Sequence, residues 1–107
     1  MLRHLTTAFA LGLLASSALP AVATDEYPSR PIKIIVPFSA GGAVDGPMRV
    51  VADAMGKRLG QAVYIENKPG AGATIGSDVV AKAAPDGYTV LLASQTNAIR
   101  SQMYAKL

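Results

Sequence analysis

The chain opens with one long apolar stretch and then breaks into short blocks whose hydrophobic period switches between that of a strand and that of a helix. From Leu5 to Leu19 the apolar run is interrupted only by Thr6, Thr7, Gly12, Ser16 and Ser17. A polar segment follows, and Pro31 leads into Ile32-Lys33-Ile34-Ile35-Val36, stopped by Pro37. This β-branched block predicts a first strand. Its near-continuous hydrophobicity predicts burial on both faces, as in a parallel sheet covered by helices. Val44, Met48, Val51, Ala52, Met55 and Leu59 then recur at three-to-four spacing and predict a helix over 45–59. Asp45 can cap its free amides, Pro47 is tolerated in the first turn, and Gly60 closes it.

The alternation continues. Ala62 to Glu66 reads as a second strand, ended by the turn-rich Asn67-Lys68-Pro69-Gly70-Ala71-Gly72. A second helix is expected from Ala73 or Thr74 to Ala83, with Ile75, Val79, Val80 and Ala83 on a narrower apolar face. Pro85-Asp86-Gly87 signals a turn, and Tyr88 to Ala93 reads as a third strand. Ser94 to Asn97 is expected as a loop, and Ala98 to Leu107 as a further helix with Ile99, Met103 and Leu107 on one side. Strand and helix alternate three times. The fold class is therefore α/β, with right-handed crossovers and ligands expected beyond the carboxyl ends of the strands.

The amino terminus changes which residues count toward that fold. Arg3 and His4 precede the apolar run, no acidic residue occurs before Asp25, and Ala21-Val22-Ala23 offers the small side chains a signal peptidase requires. This pattern is a secretory signal peptide over residues 1–23, cleaved after Ala23. Its uninterrupted apolar core is shorter than the ~20 residues that cross a bilayer, so the mature form is expected not to be membrane-embedded. The chain has no cysteine, which removes a lipid anchor, disulfides and thiolate metal sites. What remains, residues 24–107, is slightly basic, and its cations are scattered. No run of Lys or Arg points to nucleic acid, and Lys57-Arg58 suits the end of a helix.

Catalytic chemistry is thinly supplied. The single histidine is His4, within the signal, so no Ser-His-Asp triad can form among the exported residues. Asp45, Asp53, Glu66, Asp78 and Asp86 fall on different elements and read as caps, turns or solvated faces. No metal-ligand spacing occurs, and no cofactor is implied. Gly70-Ala71-Gly72-Ala73-Thr74-Ile75-Gly76 imitates a dinucleotide fingerprint, but Ile75 stands where the third glycine belongs and no ribose-binding acid ends the third strand. The loop Phe38 to Asp45 is the better candidate. Gly41 and Gly42 would let backbone amides approach a carboxylate or phosphate at a helix start, or they serve only a tight strand-to-helix turn.

Four segments in order resemble the Bug-type receptors, the solute-binding proteins of tripartite tricarboxylate transporters. They are Tyr27-Pro28-Ser29-Arg30-Pro31-Ile32 running into Val36-Pro37-Phe38, Gly41 to Asp45, Glu66 to Gly72, and Ala84 to Thr89. The resemblance implies a type II-like periplasmic binding protein whose three-layer parallel-sheet lobe closes with a second over a small organic carboxylate. It implies delivery to membrane permease subunits and no enzymatic activity. Residues 24–107 would be the amino-terminal part of the first domain, so the lobe is incomplete and carboxylate binding weak. Carried over by position, ligand contacts fall on Phe38, Ser39, Ala40, Gly41, Gly42 and Asp45 in the first loop. Gly70, Ala71 and Gly72 supply the second loop, and Ser94, Gln95 and Thr96 the third. Two local departures stand out: Ala43-Val44 replaces the usual glycine and hydroxyl residue, and Arg100-Ser101 replaces Asn-Pro. A small exported α/β interaction module is the alternative reading.

Overall fold

A computed structural model describes residues 25–103. The expected signal segment and the expected end of the last helix at Leu107 lie outside the described residues. The first strand, β1 (Ile32–Val36), is the middle of a parallel three-stranded sheet in the order β2-β1-β3, with β2 at Val63–Asn67 and β3 at Thr89–Leu91. Ile34 of β1 stands between Ile65 of β2 and Val90 of β3. The central strand is buried on both faces, as its composition predicts: Ile35 and Val36 are wholly removed from water. Each such side chain stabilises the fold by roughly 1.5–3 kcal/mol.

Alternation along β1 assigns the two faces to two helices. On the first face, Ile34 and Val36 pack with Ala52 of α1 (Asp45–Leu59), and Met48, Met55, Val63, Ile65 and Val90 close around them. The helix has the bounds its periodicity predicts, and Gly60 caps it in a left-handed conformation with its N–H on the Gly56 carbonyl. Val51 and Leu59 belong to the expected apolar stripe but stay exposed, because α1 rests on the sheet along a narrow strip. On the second face Ile35 and Pro37 lie under α2 (Thr74–Ala81). A Cβ at Gly76 would stand 2.8 Å from the Pro37 Cβ and 3.0 Å from the Lys68 carbonyl. Helices on opposite faces complete the three layers.

Several boundaries move from their expected places: β2 starts at Val63 in place of Ala62, and β3 narrows to Thr89–Leu91 from the expected Tyr88 to Ala93. Strand β2 keeps Asn67, because the ladder runs on until Lys68 N–H donates to the Val36 carbonyl at 2.9 Å. Helix α2 ends at Ala81, where Ala83 N–H bonds the Val80 carbonyl and tightens the last turn ahead of Pro85. The last helix, α3 (Gln95–Met103), starts three residues early. Ser94 to Asn97, expected as a loop, is instead a helix start: the Asn97 Oδ1 accepts Ser94 N–H at 2.9 Å, and Asn97 N–H returns to the Ser94 carbonyl.

At the amino ends of the strands, the segment before β1 clasps the turn before β3. Tyr27 Oη donates to the Gly87 carbonyl at 2.6 Å, Ser29 N–H donates to Tyr88 Oη at 2.8 Å, and Arg30 pairs with Asp86 at 2.8 Å. The Arg30 guanidinium also lies 3.9 Å above the Tyr88 ring. Two of the sequence segments that carried the family resemblance thus meet each other, at the end of the sheet away from the loops.

Packing at Gly76 and open space at Gly46 make opposite predictions. Gly76→Ala should destabilise the chain by about 1–3 kcal/mol through overpacking against Pro37. Gly46→Ala, in the first turn of α1 with nothing near its Cβ position, should raise stability by about 0.5–1 kcal/mol. Urea unfolding of both variants beside the parent checks the pair.

Candidate functional site

The three loops that follow the strands leave the same edge of the sheet, as parallel strands require. In the first loop Ser39, Ala40, Gly41 and Gly42 are exposed and Phe38 is half-buried, packed against the core. Gly41 has φ +78°, a conformation that a side chain would resist, so its glycine is required by geometry. Its N–H is already committed: it donates to Asp45 Oδ2 at 3.0 Å. Gly42 N–H reaches the Ser39 carbonyl at 3.3 Å. The two glycine amides therefore shape the loop from within.

Asp45 is the centre of that arrangement. Its side chain is only 6% exposed, and both oxygens are filled. Oδ2 accepts Gly41 N–H and Arg49 Nε, each at 3.0 Å, while Oδ1 accepts Asn67 Nδ2 at 2.9 Å. The second Asn67 amide proton bonds the Phe38 carbonyl at 3.1 Å, and Arg49 Nη2 reaches Asn67 Oδ1 at 3.3 Å. Asp45, Arg49 and Asn67 thus form a closed ring that fastens the first loop to the end of β2. The sequence suggests that Asp45 caps the helix amides. Instead the cap position, Val44, makes no side-chain hydrogen bond, and the Asp45 carboxylate turns back to the loop. Val44 itself packs against the core, so the hydroxyl missing at this position is replaced by an apolar anchor.

Arg49, Asn67, Ser77 and Asn97 were not among the residues singled out from sequence. The i,i+4 spacing of Asp45 and Arg49 is a visible signal for one ion pair. Asn67 and Asn97 sit in segments that read as turns, and nothing local reveals which groups they meet. Across the end of β2, Glu66 bridges Lys33 at 2.8 Å and Lys68 at 2.9 Å. These lysines hold the Glu66 carboxyl below its ordinary range, Lys33 first.

The second loop departs from the right-handed backbone over four successive residues. Gly70, Ala71, Gly72 and Ala73 have φ values of +120°, +47°, +59° and +69°. Ala71 to Ala73 form a single 3₁₀ turn that leads directly into α2. For two alanines this conformation costs on the order of 1 kcal/mol each. Such strain persists only where surrounding contacts impose it. Gly70, Ala71 and Gly72 are exposed and Ala73 is buried. In the third loop Ser94 and Thr96 are half-buried and Gln95 is exposed, the latter two within the first turn of α3.

Two shallow grooves, of about 440 and 250 Å³, run between α1 and β2 and are lined by residues such as Ala52, Asp53, Val63 and Tyr64. Neither includes a loop residue predicted from sequence. The expected site residues lie instead along an open edge formed by three loops. No group of three or more His, Cys, Asp or Glu among the described residues could hold a metal ion.

With that geometry in view, residues 48–107 match the model of the tripartite tricarboxylate transporter family receptor. The chain belongs to this family. A UPF0065 protein of Bordetella pertussis is 47% identical over 108 residues, covering 100% of this chain and 32% of the relative. The chain therefore spans about a third of that relative's length. Among solved structures, a TctC solute-binding protein from Polaromonas is 40% identical with a TM-score of 0.70, over 76% of this chain and 28% of its own. The periplasmic binding protein BugD is 52% identical with a TM-score of 0.58, over 61% of this chain and 22% of its own. MatC from Rhodopseudomonas palustris, solved with bound malate, is 45% identical with a TM-score of 0.58, over the same shares. The family is one of solute-binding receptors and not of enzymes. The parallel sheet with helices on both faces matches these periplasmic binding proteins. No helix among the described residues is long and apolar enough to cross a membrane.

The buried carboxylate at the centre of the first loop makes a pH prediction. Arg49, then the Gly41 amide, then Asn67 hold Asp45 at about 2, below its ordinary 3.8. A folded value below the unfolded one contributes stability that is present above about pH 4 and is lost as the pH falls toward 2. Asp45→Asn lacks that titration. The stability gap between parent and variant, measured by urea unfolding, should be widest near about pH 6 and shrink between about pH 4 and 2.

Proposed function

We propose that the chain supplies the amino-terminal part of the first domain of a periplasmic receptor. This receptor binds a small organic carboxylate and presents it to the membrane permease subunits of a tripartite tricarboxylate transporter. Residues 1–23 direct export and are removed after Ala23. The observation that carries the reading is the meeting of three loops at the carboxyl edge of a parallel sheet, in a chain belonging to a receptor family. MatC, bound to malate, supports the carboxylate class.

Within the face, the work divides. Asp45, with Gly41 and Gly42, holds the first loop in shape, and Arg49 offsets its charge so that the loop does not repel an anion. The ligand contacts then fall on Phe38, Ser39 and Ala40, on the strained Gly70 to Gly72 turn, and on Ser94, Gln95 and Thr96. The start of α2, with the partial positive charge of a helix amino terminus, lies at the same edge. These loops touch a ligand from one side only, leaving its other side in water. Residues 24–107 taken by themselves therefore leave much of a ligand's surface wet and are expected to bind it weakly.

Two measurements test the proposal. Mass analysis of the exported protein should find Thr24 as its first residue. In a titration of the exported chain with malate, amide resonances of the three loops should shift with a Kd of about 1 mM or weaker. Those of the Tyr27–Tyr88 clasp should stay in place. Micromolar affinity by calorimetry, or shifts confined to the clasp, would overturn it.

A further inference from the structure

We propose that Ser77 and Asn97 are positioning residues that set the third loop of the binding face against the second. The role rests on the reading of these loops as a carboxylate half-site. Ser77 lies one turn into α2 and is 8% exposed. Its hydroxyl has a single proton, which it donates to the Ala73 carbonyl at 2.8 Å. The oxygen can then only accept, and it takes Asn97 Nδ2 at 2.7 Å. With its amide turned toward Ser77, Asn97 presents Oδ1 to Ser94, accepting the backbone N–H at 2.9 Å and facing Ser94 Oγ at 3.4 Å. A directed chain of hydrogen bonds therefore runs from Ser94, the residue before α3, to Ala73, the last left-handed residue of the second loop.

Each member of this chain has a chemical reason. Ala73 is strained at φ +69° and ψ 7°, and its carbonyl is held by a buried hydroxyl one helical turn away. Asn97 must give a proton in one direction and accept one in the other, which aspartate and leucine cannot do. The accepting half alone would suffice to cap α3. Aspartate would do that at least as well, because a carboxylate near a helix amino terminus is favoured by the dipole. The donating half leaves α3 altogether and crosses to α2. That half fixes where Ser94, Gln95 and Thr96 stand relative to Gly70 to Gly72, so both loops meet a ligand in one preset geometry.

This difference between cap and link gives the test. Amide spectra of the exported chain are compared with those of Asn97→Asp, Ser77→Ala and the double variant, without ligand and then with malate as the probe. Asn97→Asp preserves volume and the cap, so Ser94 N–H should remain slow to exchange. The resonances of Ala71 to Thr74 should nevertheless move, as they do in Ser77→Ala, and the double variant should add nothing further. Loss of the link should weaken malate binding by about five-fold in Ser77→Ala, which leaves the charge of the loops unchanged. Spectral changes confined to α3, with Ala71 to Thr74 unmoved, would reduce Asn97 to a cap and overturn the link. If malate shifts no resonance of the parent chain, the half-site reading fails, while the ligand-free spectra still decide whether the two loops are tied.

Discussion

A five-residue strand that loses water on both faces cannot stand at the side of a domain, and β1 is such a strand. Ile34 and Val36 face α1, Ile35 and Pro37 face α2, and the neighbours on either side are β2 and β3. Covering one strand twice requires the chain to leave it over one face and return over the other. Parallel pairing follows, because each return passes through a helix. Once the strands are parallel, every strand-to-helix loop leaves the same edge. The location of the proposed binding face is thus a consequence of how β1 is buried.

Polar contacts then divide the two ends of the sheet between them. At the amino end the Tyr27, Ser29 and Arg30 contacts to Asp86, Gly87 and Tyr88 close the fold. At the carboxyl end the Asp45–Arg49–Asn67 ring ties the first loop to β2, and the Ser77–Asn97 pair ties α2 to α3. The second of these connections joins α2 to α3, neither of which contributes to the hydrophobic core cluster around Ile34, Val36 and Ala52. A loop meant to hold a ligand cannot rely on burial for its shape, since it must remain exposed. Partly buried hydrogen bonds one layer below serve instead, and the strained Ala73 is held there through its carbonyl.

Some of this was legible along the chain and some was not. The bounds of β1 and α1 follow from hydrophobic period and from Pro37 and Gly60, which are local properties. The three loops of the face follow from element order. The early start of α3 is not legible, because its cap uses Asn97 in place of the usual glutamate or glutamine. The left-handed run from Gly70 to Ala73 is not legible either, since two of its residues are alanines, which give no sign of positive φ.

By itself the sequence determined the α/β class, the central buried strand and the lack of cysteine, and its resemblance to known receptors pointed to the family. Class and buried strand follow from period and residue type, which are properties of neighbours along the chain, and the family from four segments matched in order. Only the tertiary structure decided that Asp45 bonds back to Gly41 and across to Asn67, and that Asn97 reaches Ser77. The physical reason is that a hydrogen bond specifies distance and direction between two groups, whereas the spacing of their residues specifies neither. Asp45 was therefore visible as a candidate from the start, and its role became clear only when its three partners came within 3.0 Å.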